Sequence, residues 1–167
     1  EPLRKESTPN GWLGTTRIYG QPDEYQHGKP HLGIDFSYGG KESATVYAVA
    51  DGKLVFYGTN SGKQLNRYIV VRHDKLKDPT GKYCVFSIYM HCHPNISVGS
   101  SVNKGQPIGA TDYPFGPLNT GTGSHCHFEI LLAPIQSEKV NANANTQDPG
   151  KFIHGPSQPQ SGHRRYY

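Results

Sequence analysis

Apolar positions along this chain recur mostly with a period of two, the mark of strands rather than helices. In His31–Phe36, Leu32, Ile34 and Phe36 alternate with His31, Gly33 and Asp35. Thr45–Ala50 is β-branched and apolar, Asp51-Gly52 reads as a turn, and Lys53–Tyr57 is a further strand, so the pattern predicts a hairpin over 45–57. Tyr68–His73 and Tyr83–His91 are two more strands, divided by a turn at Lys77–Lys82 where Asp78, Pro79 and Gly81 gather. A short strand near Thr15–Tyr19, a turn and short strand within Val102–Gly109, and a strong strand at Ser124–Leu132 complete the set. No amphipathic helical spacing persists beyond a turn or two. Residues 134–150 are polar and read as a helical turn or a loop. The expected fold class is all-β, compact and mostly antiparallel.

Composition agrees with many short strands. Hydrophobic residues make up only 34% of the 167, while 20 glycines and 13 prolines supply turns. The aromatic residues, 11 Tyr and 6 Phe among them, are spread along the chain and support one packed core. We expect a polar lead-in over residues 1–11, a single domain over 12–155, and a flexible basic tail over 156–167 that ends in His163-Arg164-Arg165. The chain opens at Glu1, which leads us to expect one module of a longer or processed protein with other domains.

The net charge of +4 is mild and reads as ordinary solvation. A nucleic-acid partner would need a basic stripe interleaved with aromatics, and here the basic residues are scattered. No run approaches the ~18 apolar residues of a membrane span. The odd count of three cysteines, Cys84, Cys92 and Cys126, excludes a fully paired disulfide framework and points to synthesis under reducing conditions.

The candidate chemistry lies in the nine histidines. His31 and Asp35 share one parity, with Gly33 between them to keep the space clear. His125, His127 and Glu129 share one face of the 124–132 strand, while Cys126, Phe128 and Ile130 face the core. If the two strands are neighbours, His31, Asp35, His125 and His127 converge. Two imidazoles and one carboxylate with the fourth position open is how catalytic zinc is held, and a surplus histidine beside it is free for proton transfer. His91 is a further candidate for that face. Glu129 either orients a histidine or is a plain carboxylate at the core edge. Strand alternation argues against Cys126 as a ligand and against Cys92 as a nucleophile paired with His91 or His93. His27, His73, His154 and His163 read as structural or surface residues.

Three ordered motifs then carry a resemblance. His31-Leu32-Gly33-Ile34-Asp35-Phe36, Tyr89-Met90-His91 and Ser124-His125-Cys126-His127-Phe128-Glu129 resemble the metal and catalytic motifs of lysostaphin-type zinc metallopeptidases. Ala48-Val49-Ala50-Asp51-Gly52 and the stretch Val102–Gly109 match in kind and order, so the likeness covers roughly residues 12–133. It implies that His31, Asp35 and His127 hold Zn2+, and that His91 and His125 are the catalytic histidines. It also implies a groove walled by loops, bacterial peptidoglycan as substrate, and action outside the cell, by a secreted or virion-associated protein. A phage lysin or tail module and a processed bacterial enzyme are both settings that fit. The chain departs from the family pattern over Ala110–Asn119, where Asp112-Tyr113-Pro114-Phe115-Gly116-Pro117 replaces a Gly/Thr-rich loop, and at Cys92 and Cys126. The competing expectation is a non-catalytic wall-binding or structural domain on the same fold.

Overall fold

Alternation of apolar and polar side chains leaves each strand a face to bury, and the chain buries them by stacking a small sheet on a large one. The structure, a computed structural model, describes residues 14–23, 27–37, 43–59, 67–78, 80–112, 124–134 and 145–153. In chain order the strands are β1 (Gly14–Arg17), β2 (Pro22–Asp23), β3 (Lys29–Pro30), β4 (Ile34–Ser37), β5 (Thr45–Tyr47), β6 (Gly52–Thr59), β7 (Arg67–Lys77), β8 (Tyr83–Met90), β9 (Cys92–Pro94), β10 (Ser101–Val102), β11 (Pro107–Thr111), β12 (His125–Pro134) and β13 (Thr146–Gln147). One helical turn, α1 (Gly150–Ile153), follows. The large sheet runs β1-β4-β12-β8-β7-β6-β10, with β13 also on β12. The small sheet runs β5-β11-β9, and β2 pairs with β3. All these pairings are antiparallel, so the all-β expectation holds.

The main core lies between the two sheets. Phe36, Leu54, Ile69, Val71, Tyr89, Phe128 and Ile130 of the large sheet meet Val46, Cys92 and Ile108 of the small one. The centre of the large sheet is buried on its other face as well, through Val70, Phe86, Ile88 and Leu131. This is why β8 has buried residues at both parities from Cys84 to Tyr89.

A buried polar chain ties the layers together. The Val49 N–H donates to Tyr89 Oη (3.0 Å), Tyr89 lies 3.1 Å from Ser87 Oγ, and Ser87 lies 2.8 Å from His73 Nε2. His73 Nδ1–H donates to the Asp51 carbonyl (2.8 Å). Every polar atom in this series has a partner, which offsets the cost of burying it. Burial lowers the pKa of His73, and the Asp51 carbonyl opposes this only in part. The lowered pKa favours a neutral ring. His73 is thus structural, as expected.

Three strand readings need correction. Thr45–Tyr57 is not a hairpin: β5 pairs with β11 and β6 with β7 and β10. Ala48 donates to Gln106 and accepts from Gly105, so it prolongs the pairing of β5 with the β11 side, and the chain joins the large sheet only from Gly52. The strand that bears Asp35 begins at Ile34, and His31 precedes it, held by reciprocal bonds to Gly20 and Gln21. The strand expected to end at His91 ends at Met90, because His91 takes a left-handed backbone (φ 60°) and turns the chain into the small sheet. Strand periodicity registers none of these long-range choices. The lead-in over 1–11, the tail over 156–167 and most of the 111–124 loop lie outside the described residues.

Candidate metal centre

The site grows out of one register. β4 and β12 are neighbours, and His127 stands directly opposite Asp35. Facing pairs in antiparallel strands project to the same side, so the two side chains meet and His127 Nδ1 lies 2.8 Å from Asp35 Oδ1. His31 enters from the loop before β4. Its Nε2 is 2.9 Å from His127 Nδ1 and 3.2 Å from Asp35 Oδ1. All three residues are buried, at 2%, 7% and 8% exposure for His31, Asp35 and His127. Each offers one ligand atom, and the three atoms lie within 4.8 Å of one another.

The outer contacts choose which nitrogens face inward. His31 Nδ1 lies 3.3 Å from the Ile18 carbonyl, which can only accept, so Nδ1 carries the proton and Nε2 keeps its lone pair. His127 Nε2 lies 2.9 Å from Glu129 Oε1, which places a proton there and leaves Nδ1 as the inward atom. Glu129 thus orients a histidine, the first of the two roles open to it in the sequence. Ile18 had no sequence signal, because a backbone carbonyl leaves no trace in residue type.

Electrostatics fits a cation. Burial alone would raise the Asp35 carboxyl, but hydrogen bonds and charge from His127 and His31 outweigh it and hold Asp35 well below the usual carboxylate range. Burial would lower His127, but hydrogen bonds and charge from Asp35 and Glu129 win, and its pKa is pushed up to about 9. A proton on His127 therefore occupies the place where two carboxylates call for positive charge. The second Glu129 oxygen, Oε2, is buried with no hydrogen-bond partner, which adds to that demand. Tetrahedral bonds of ~2.0–2.2 Å put donor atoms about 3.4 Å apart. The 2.8–3.2 Å separations seen here are close to that, and the donor set suits zinc.

His91 and His125 stand beside this cluster. Their ring centroids are 4.6 Å apart, and His91 is 6.5 Å from the His127 ring. Both rings are partly exposed, unlike the three clustered residues. The five residues singled out in the sequence are thus together at one end of β12. Cys126 and Cys92 face the core and are fully buried. Burial pushes the Cys92 thiol well above its ordinary pKa, and the Cys126 thiol beside it adds to the shift. Such a thiol is a poor nucleophile.

Gly33 gives the cluster its room. A Cβ there would meet the Phe128 carbonyl oxygen and lie 2.8 Å from His127 Nε2. Gly33→Ala is therefore expected to cost about 1–3 kcal/mol as an overpacked site. Urea denaturation against the parent checks this, and an unchanged midpoint would show that the strands yield.

The model of peptidase family M23 matches residues 29–144, well over half of the chain. The lysostaphin catalytic domain from Staphylococcus simulans, described as an antimicrobial peptidase, is 26% identical; the match covers 83% of this chain and 90% of that one, with a TM-score of 0.60. Against a longer lysostaphin structure at 25% identity the match spans 53% of that chain and 89% of this one, with a TM-score of 0.60. The catalytic domain of EnpA, a prophage-encoded M23 protein from Enterococcus faecalis, shares the fold at 20% identity and a TM-score of 0.57, over 88% of this chain and 98% of that one. A chain of the SpoIIIAH–SpoIIQ complex shares it at 16% identity and 0.59, over 91% and 97%. No curated protein matches. The family motif, the fold and the clustered histidines agree, and the chain belongs to peptidase family M23, in its lysostaphin-like group.

Proposed function

We propose that the protein is a zinc-dependent endopeptidase that hydrolyses peptide bonds in the stem peptides or cross-bridges of bacterial peptidoglycan. The observation that carries this reading is the buried His31–Asp35–His127 cluster with two further histidines at its edge. In it His31, Asp35 and His127 are the metal ligands, and His91 and His125 are the catalytic residues. Zinc, when bound, supplies Lewis acidity toward a carbonyl and a water. The protein's own groups do the rest. His31 Nε2 and His127 Nδ1 are the inward atoms because Ile18 and Glu129 hold the outer N–H groups, and His127 offers its lone pair once the Nδ1 proton has left. His91 and His125 between them accept the proton of the attacking water, donate a hydrogen bond to the developing oxyanion, and return a proton to the leaving amine. Their partial exposure lets substrate reach them.

The cell-wall substrate draws support from the likeness to lysostaphin, an antimicrobial peptidase, and fits action outside the cell by a secreted or virion-associated protein. Among the described residues no helix is long and apolar enough to cross a membrane. The test is digestion of purified peptidoglycan followed by mass spectrometry. New free amines and carboxyls in the peptide moiety are expected. Intact peptides from walls of several cross-link types would favour the second reading, a non-catalytic wall-binding or structural domain.

Metal binding should also be linked to protons. Since the metal-free site raises His127 to about 9, His127 is protonated at neutral pH, and a metal must displace that proton from Nδ1. Apparent zinc affinity is therefore expected to rise about tenfold per pH unit between pH 6 and 8 from this group. Calorimetry at pH 7 in buffers of different ionisation enthalpy should report about one proton released. Release of none would contradict the charged state of His127.

A further inference from the structure

His91 has a backbone that a non-glycine residue adopts at a cost, φ 60° in the left-handed region. Such a conformation persists only where neighbours fix it. Here both of its backbone groups are held. The His91 N–H donates to the Arg67 carbonyl at 2.7 Å, and the His91 carbonyl accepts from the Asp112 N–H at 2.7 Å. Arg67 opens β7, and Asp112 follows β11. The two residues that clamp His91 thus come from different sheets.

Their side chains are joined to each other. Asp112 Oδ1 accepts from His93 Nδ1 at 2.8 Å and from Arg67 Nη1 at 3.4 Å. His93 lies two residues beyond His91 on β9, which pairs with β11 through His93 and Ala110. One carboxylate therefore ties together β7, which pairs with the strand before the bend, β9, which follows the bend, and the end of β11 that holds the His91 carbonyl. The side chains of Arg67 and His93 are 46% and 42% exposed. An ion pair this open contributes little to stability, so its worth lies in geometry.

We propose that Asp112 is a positioning residue: through Arg67 and His93 it fixes the left-handed bend that places the His91 imidazole beside His125. The inference rests on the catalytic role of His91. Displacement of a reacting group by about 1 Å can cost up to ~100-fold in rate, and a loosened bend moves the ring by part of that.

The test is steady-state hydrolysis of a soluble cross-linked muropeptide by zinc-loaded protein. Asp112→Ala is expected to lower kcat about tenfold, with KM within about twofold, one zinc per chain and an almost unchanged melting temperature. Asp112→Asn keeps an accepting Oδ1 and should restore most of kcat, a rescue that a purely structural role would not predict. If Asp112→Ala does not fold, His93→Phe, which removes one arm of the clamp, should lower kcat in the same way at constant zinc. Parental kcat in whichever of these variants folds, with His91→Ala inactive, overturns the clamp and leaves the role of His91 standing. Full activity in His91→Ala overturns both.

Discussion

His127→Ala should lose its zinc. The side chain supplies Nδ1 to the cluster and lies within 2.9 Å of His31 Nε2 and 2.8 Å of Asp35 Oδ1. Two donors that remain cannot enclose a metal at useful affinity. Partners that merely orient a ligand already contribute 10–100-fold in affinity, so loss of the ligand itself should cost more than ~100-fold. Glu129, buried beside the former ring, would lose its partner as well, and some stability should go with it. Metal analysis after desalting, with circular dichroism to verify the fold, measures this. One zinc per chain in folded His127→Ala would show that the ligand set is wrong. His31→Ala is expected to behave alike.

His125→Ala should do the opposite: retain zinc and lose cleavage. His125 stands next to the His91 ring at 4.6 Å, and it is not among the three clustered ligands. Positioned proton transfer contributes typically about 10²–10⁴-fold, and kcat should fall by that order with KM little changed. His91→Ala should fall comparably. Because the two rings work as a pair, the double variant should be scarcely slower than either single one. Parental turnover in either single variant, measured on zinc-loaded protein, would remove that residue from the reaction.

The site was legible where chemistry follows strand parity. The common face of His125, His127 and Glu129, and the core side of Cys126, Phe128 and Ile130, follow from period two and hold in the structure. Adjacency of β4 and β12 is a long-range choice that periodicity does not encode; the sequence only made it necessary if the histidines were to meet. The pairing of β5 with β11 was missed for the same reason, since a nearby Asp-Gly suggests a local turn whatever the partner. The period of two carries through His91, because nothing in a histidine signals φ 60°. In the sequence Asp112 stands out only as a departure in a loop. Its part in the bend depends on its backbone N–H to the His91 carbonyl and on its carboxylate against Arg67 and His93, and no residue type signals these partners.

The central claim is that this cluster binds zinc and that zinc is needed for cleavage of the bacterial wall. It is tested most directly by turbidity of a purified peptidoglycan suspension with native protein, chelator-treated protein, and chelator-treated protein given back one equivalent of zinc. Clearing that stops with the chelator and returns with zinc is the predicted result. Clearing that continues in the metal-free protein would contradict it.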